Sequence, residues 1–227
     1  GAELINAPKK VSYAASMGLL PESESEKGTL RELLSHLDSI SVREQDLSLF
    51  LTELGYRDHK IVLDPTLLLP SEKWEQIVEI PNLGLGRYIL VYGITTVSFS
   101  WTKVREFAAR KGLGVIHLSG TASKNDDPHC YSTVGPDYFL ALIRDAEYVF
   151  SSSFHGVAFS VIFKKQFFAS FSNNSNRAKT LLDSLGLSSR MVSNDVFDIP
   201  EVDYTPVYGK LEKLRNDSMS FLTDSLK

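Results

Sequence analysis

The run Tyr148-Val149-Phe150-Ser151-Ser152-Ser153-Phe154-His155-Gly156-Val157-Ala158-Phe159-Ser160 decides the fold. Its first three residues make a short apolar run, as a fully buried strand does, and three serines then break it. Beyond them Phe154, Val157, Ala158, Val161 and Ile162 recur at i, i+3, i+4, i+7 and i+8, the spacing of one buried helix face. A buried strand that feeds straight into a helix is the building block of parallel α/β layers. His155 lies about 100° from the centre of the apolar stripe, in the first helical turn. The start of a helix offers N–H donors and a positive end, and open α/β sheets bind ligands at the carboxyl ends of their strands. The serines are able to cap the helix and donate hydroxyl hydrogen bonds. Histidine is an unusual choice here, because the helix dipole disfavours its protonated form unless an anion sits nearby. Such a conflict between local rule and residue is what a functional site shows. The bland alternative is that Ser152 or Ser153 is only an N-cap and His155 fills a gap.

The same alternation extends outward in both directions. Toward the N-terminus, strands are predicted at 11–15, 40–43 and 61–63, with helices at 29–37 and 46–54, the second closed by Gly55. The turn Ile80-Pro81-Asn82-Leu83-Gly84 follows. After it come a strand at 88–92, a helix at 101–111 between Ser100 and Gly112, and a strand at 115–118. Residues 120–133 read as a polar loop. A helix at 136–144 opens on proline; strand 148–150, helix 154–163, strand 167–169 and helix 175–185 complete the series. A closing helix is predicted at 206–226 from Leu211, Leu214, Met219 and Leu222. The fold class is therefore α/β, with Rossmann-like parallel sheet layers: a nearly complete one toward the C-terminus and a partial one toward the N-terminus. The predicted division is 1–84, 85–205 and a C-terminal helix 206–227.

Composition narrows the function. The 227 residues are 43% hydrophobic and 23% charged, as in ordinary globular proteins. A net charge of −4 argues against nucleic acid as a partner, since phosphate-backbone binders need surplus Lys and Arg. The single cysteine, Cys130, excludes an intrachain disulfide and a Cys-based zinc site, and its loop-like run carries no partner pattern. No metal and no cofactor are expected. No apolar run approaches the roughly 20 residues of a spanning helix, and nothing at the start reads as a signal peptide. A cytoplasmic location is the plain expectation.

Three more stretches carry candidates. Ile40-Ser41-Val42-Arg43-Glu44 ends a strand at Arg43, whose planar guanidinium can grip a carboxylate or phosphate through two parallel hydrogen bonds. Pairing of Arg43 with Glu44 or Asp46 is the competing reading. Arg177, at the start of helix 175–185, can reach an anion in the same cleft, or simply face solvent. Ser12-Tyr13-Ala14-Ala15-Ser16-Met17-Gly18 ends a strand in small residues, which lets a ligand approach the backbone near Ser16. Asp64-Pro65-Thr66 reads as a turn with a capping carboxylate and is assigned no chemistry.

In their order along the chain these stretches resemble the polysaccharide pyruvyl transferase family. The matching pieces are Lys10-Val11-Ser12-Tyr13-Ala14-Ala15-Ser16-Met17-Gly18, Ile40-Ser41-Val42-Arg43-Glu44 and Val62-Leu63-Asp64-Pro65-Thr66-Leu67-Leu68. Tyr88-Ile89-Leu90-Val91-Tyr92, Pro136-Asp137-Tyr138-Phe139-Leu140 and the run from Ala146 to Gly156 follow, with Arg177 through Arg190 last. The resemblance implies a fold similar to GT-B glycosyltransferases, two Rossmann-like domains facing each other across a cleft. It implies phosphoenolpyruvate as donor and a sugar or lipid-linked saccharide of a cell-surface polysaccharide as acceptor. It makes His155 the acid/base residue and Arg43 a donor ligand, with Ser16, Ser153, Gly156 and Arg177 as further substrate-binding candidates. Members usually carry more chain before the Ser-Tyr-Ala segment, and some have an arginine two positions before the histidine, where Ser153 stands; Arg177 is the expected substitute. Peripheral membrane association through the acceptor and a homo-oligomer stay open. The rivals are a GT-B nucleotide-sugar glycosyltransferase and a non-catalytic binding half.

Overall fold

The structure, a computed structural model, describes residues 6–94, 97–120, 130–132, 134–172, 175–193 and 195–227. Along the chain run β1 (Val11–Ala15), α1 (Glu24–Leu34), β2 (Ser39–Val42), α2 (Gln45–Glu53), β3 (His59–Ile61) and α3 (Ser71–Ile77). Then come β4 (Tyr88–Gly93), α4 (Trp101–Lys111), β5 (Gly114–Ser119), β6 (Cys130–Ser132), α5 (Pro136–Asp145) and β7 (Tyr148–Ser151). The series ends with α6 (Phe154–Ile162), β8 (Gln166–Ala169), α7 (Asn176–Leu185) and α8 (Tyr204–Ser225). The chain divides into two compact units, Gly1–Leu68 with Tyr208–Lys227, and Leu69–Val207. The division falls at Leu68, upstream of the turn at 80–84. Two contacts tie the intervening segment to the second unit: Trp74 packs edge-on to Phe159, and Arg144 donates to the carbonyls of Ile80 and Pro81.

The second unit holds a five-stranded sheet in the order β6-β5-β4-β7-β8, every neighbouring pair parallel. Its first strand lies in the middle, so the strand order reverses between β4 and β7, the switch point at which open sheets bind ligands. Alternate side chains of the strands face opposite ways. Ile89, Val91, Tyr148 and Phe150 meet Val104, Phe107 and Ala108 of α4 in a core rich in rings, to which Phe99, Phe168 and Phe197 belong. On the other face Phe139 of α5 packs edge-on to both Tyr92 and Phe159. Helices therefore cover both faces, as parallel sheets require.

Local signals set many of the boundaries. Ser100 accepts from Lys103 N at the start of α4, and Gly112, at φ 66°, ends it in the left-handed conformation a glycine adopts without Cβ strain. Residues 120–133 are not all loop: Cys130–Ser132 extends the sheet as β6, and 121–129 lie outside the described residues.

The first unit holds the three-stranded parallel sheet β1-β2-β3. One face buries Ile40 and Val42 against Leu47, Phe50, Leu51 and Leu54. On the other, Ala14 and Val62 pack with Phe221 of α8. That helix also supplies Ser218, whose hydroxyl accepts from Leu63 N at 3.0 Å, and Arg215, whose Nε donates to Leu67 O at 2.7 Å. The third strand ends two residues earlier than its apolar run: Val62 N still donates to Val42 O at 2.9 Å, and Leu63 N then turns to Ser218. In β1, Ala14 has φ 51° and the register with β2 shifts between Ser12 and Ala15. This bulge turns Ala15 and Ser16 onto a new course, and Arg43 N donates to Ala15 O at 3.1 Å.

Candidate functional site

At the switch point the three serines have different jobs. Ser151 Oγ accepts from Ser153 N and donates to Ser153 O, both at 3.0 Å, closing the turn between β7 and α6 on itself. Ser152 N donates to Tyr92 O at 2.9 Å, prolonging the β4–β7 ladder, and its hydroxyl accepts from Ser98 N at 2.9 Å. Ser153 is the extended N-cap residue, yet its side chain makes no capping bond. It is 3% exposed, and its Oγ makes no hydrogen bond of standard geometry. Its polar neighbour is the Tyr92 phenol: burial pushes the Tyr92 pKa up, and the Ser153 hydroxyl opposes that shift. The first bond of α6 runs from Val157 N to Ser153 O at 3.1 Å, so the N–H groups before it point out of the helix start.

His155 is half-buried, its ring edge-on to Phe154 with centroids 5.4 Å apart. The Arg177 guanidinium, from the first turn of α7, lies 5.6 Å from the centroid of the same ring. Phe154 thus gathers an imidazole and a guanidinium at the carboxyl edge of β7 and β8. In the sequence it reads only as one residue of a core stripe. Gly156 has a packing reason to be glycine. A Cβ there would lie 2.1 Å from Ser151 Oγ and 2.8 Å from Tyr92 Cδ1, so only a bare backbone lets α6 approach the sheet this closely.

Beside Tyr92 opens a cavity of about 330 Å³ between the ends of β4 and β5 and the start of α5. Tyr92, Leu118, Pro136 and Phe139 wall it, with Ser119 and Gly120 at the strand end. Its volume sits at the lower end of small-ligand pockets, which run from roughly 300 to 1,000 Å³. Tyr92 therefore borders both the cavity and the start of α6. In the sequence Tyr92 stands out only as the last residue of the strand expected at 88–92, and its position near the carboxyl end of the central strand is the signal available. On β5 and β6, His117 and Cys130 stand in register, and Cys130 Sγ lies 3.4 Å from His117 Nδ1. The cysteine read as partnerless in a loop is in a strand, facing a histidine.

In the first unit, Arg43 follows β2 with its side chain 19% exposed. Its Nη1 pairs with Asp64 Oδ2, and its Nε lies 4.0 Å from Glu44 Oε1. The sequence offers Glu44 and Asp46 as competing partners and leaves Asp64 without chemistry; Glu44 does stand beside the guanidinium, and Asp64 makes the closer pair. Asp64 also caps its own turn, Oδ1 accepting from Thr66 N at 3.0 Å and from Thr66 Oγ1 at 2.7 Å. Glu44 and Asp64 are 2% and 3% exposed, and Ser16 gives its hydroxyl hydrogen to Glu44 Oε1. Charges this deep persist only when paired and hydrogen-bonded. Among the described residues, no group of three or more His, Cys, Asp or Glu is placed to hold a metal ion, and no helix is long and apolar enough to cross a membrane.

A family model described as polysaccharide pyruvyl transferase matches residues 2–175. No curated protein matches the chain. Among solved structures, the glycosyltransferase SnogD from Streptomyces nogalater is similar with a TM-score of 0.34 and 11% identity, over 77% of this chain and 57% of that one. The wall teichoic acid polymerase TagF is similar with a TM-score of 0.40 and 11% identity, over 96% of this chain and 60% of that one. The chain thus spans less than two thirds of either structure.

Proposed function

The chain belongs to the polysaccharide pyruvyl transferase family, and from that premise we propose that it moves pyruvate from phosphoenolpyruvate onto a saccharide of a cell-surface polysaccharide. One sugar hydroxyl adds to C2 of the enol while a proton goes to C3. Phosphate then leaves C2, and a second hydroxyl closes the cyclic ketal.

The observation that carries this reading is the start of α6, at the switch point of a parallel sheet. A half-buried His155 stands there on the same aromatic ring as Arg177. A helix start favours anionic groups, and an imidazole beside one is suited to give the C3 proton as general acid. In this reading Ser153, Gly156 and Arg177 bind the donor's carboxylate and phosphate in the second unit. Arg43 and Ser16 are the donor-binding candidates of the first. The reaction takes place in the cytoplasm, where phosphoenolpyruvate is made.

The test follows phosphate release and ketal formation by proton NMR in mixtures of phosphoenolpyruvate and pyranosides. Thermal shifts with phosphoenolpyruvate, UDP and GDP separate this reading from nucleotide-sugar transfer. Stabilisation by a nucleoside diphosphate but not by phosphoenolpyruvate overturns it.

A further inference from the structure

Asp64 has two acceptor faces, and both are occupied. Oδ2 meets Arg43, while Oδ1 takes the N–H and the hydroxyl of Thr66. The carboxylate is 3% exposed, and the backbone beside it is held from elsewhere: Leu63 N donates to Ser218 Oγ, and Leu63 O accepts from the Tyr13 hydroxyl at 2.9 Å. A guanidinium on a flexible stem is therefore fastened to a group that cannot itself rotate. Asp64 holds Nη1, Glu44 Oε1 lies 4.0 Å from Nε, and the Arg43 side chain keeps 19% exposure.

We infer that Asp64 is a positioning residue for Arg43, aiming its guanidinium at the donor's carboxylate or phosphate. The inference rests on the donor-binding reading of Arg43 given above. It also has a sign that distinguishes it from simple electrostatics. As a bare negative charge beside Arg43, Asp64 weakens anion binding, and its removal would tighten it. As the group that aims the fork, its removal weakens binding, because bidentate recognition depends on orientation. Asn cannot replace it. With one carbonyl oxygen, an amide faces either Arg43 or the Thr66 donors with its own N–H groups.

The experiment is calorimetric titration of phosphoenolpyruvate into the intact protein and into Asp64→Asn, Thr66→Val, Arg43→Gln and the double variant Arg43→Gln/Asp64→Asn, with a melting curve for each. Asp64→Asn is expected to weaken binding about tenfold and Thr66→Val about threefold, while in the Arg43→Gln background Asp64→Asn changes it less than about twofold, the non-additivity of a residue acting through another. Thr66→Val keeps both charges, so it carries the test if Asp64→Asn does not fold. Unchanged or tighter binding by a folded Asp64→Asn overturns the inference, as does an undiminished effect without Arg43. If Asp64→Asn does not fold, unchanged binding by Thr66→Val overturns it. A wild type that binds no phosphoenolpyruvate overturns the donor reading itself, and this role with it.

Discussion

At the scale of single residues, the site separates groups proposed to act on substrate from groups that hold the backbone. His155 belongs to the first kind. His155→Gln keeps a polar ring-sized side chain against Phe154 but has no proton to give. Turnover is expected to fall by about a hundredfold or more, in the range of general acid catalysis, with phosphoenolpyruvate affinity changed only slightly. Unaltered turnover would remove the proton-donor role. Gly156 belongs to both, a donor-binding candidate whose bare backbone also sets how closely α6 approaches the sheet. Gly156→Ala forces a methyl into Ser151 and the Tyr92 ring, and should destabilise by about 1–3 kcal/mol, the usual penalty of overpacking. Because the nearest atom is Ser151 Oγ, Ser151→Ala should recover part of that loss; the readout is the urea midpoint of the single and double variants. Much of this site was legible from sequence. Three serines, a histidine and a glycine after a buried strand announce a helix start under unusual demands. The partners were not legible. Nothing in the spacing says that Phe154 carries both His155 and Arg177, or that Asp64, 21 residues after Arg43, meets its guanidinium. Such pairings depend on which strand ends lie side by side.

At the scale of elements, legibility followed the strength of the stop signals. The limits of α4 were readable because Ser100 and Gly112 bracket it. Helix α3 was missed: it runs for seven residues, has no side-chain cap and buries no residue, so it leaves no stripe. Strand β6 was missed because Cys130-Tyr131-Ser132 is short and lies at the sheet edge, with no alternation to betray it. The end of α6 is a different case. Lys164 N donates to Val161 O at 3.2 Å and Lys165 N to Ser160 O at 2.8 Å, the paired bonds of a left-handed helix end. Yet the residue at the left-handed position is Lys164, at φ 54°, where α4 and α7 use Gly112 and Gly186. The left-handed backbone costs a non-glycine residue roughly 1–2 kcal/mol, and glycine's greater freedom when unfolded offsets part of it. Lys164→Gly is therefore expected to stabilise the second unit by about 0.5–1 kcal/mol, read as a higher denaturant midpoint with unchanged slope. A lower midpoint would show that the lysine side chain contributes more than its backbone strain removes.

At the scale of the whole molecule, buried phenols give both units the same response to alkali. Burial, the largest influence on each, raises the pKa of Tyr13 from 10.0 to about 12 and moves Tyr88, Tyr92 and Tyr148 in the same direction. A group whose folded pKa is raised keeps its contribution below its unfolded value and loses it as pH climbs through the folded one. Stability should thus be flat up to about pH 10 and decline toward pH 12, a decline that Tyr13→Phe makes shallower for the first unit. Urea melts at pH 9 and 11.5 decide it, an equal decline with and without Tyr13 counting against the assignment. The C-terminal helix has a consequence in time. The first unit is split along the chain, Gly1–Leu68 at one end and Tyr208–Lys227 at the other. A ribosome therefore delivers the Ala14 and Val62 face long before Phe221 emerges to cover it. At synthesis rates of roughly 5–20 residues per second, that face stays bare for on the order of ten to thirty seconds. The later-made unit, Leu69–Val207, is complete first, so the order of birth is inverted in the order of folding. On stalled nascent chains that expose residues up to Val207 and hold Tyr208–Lys227 inside the ribosome, a protease should cut within Gly1–Leu68 and spare the second sheet, and exposure of Tyr208–Lys227 should close the window.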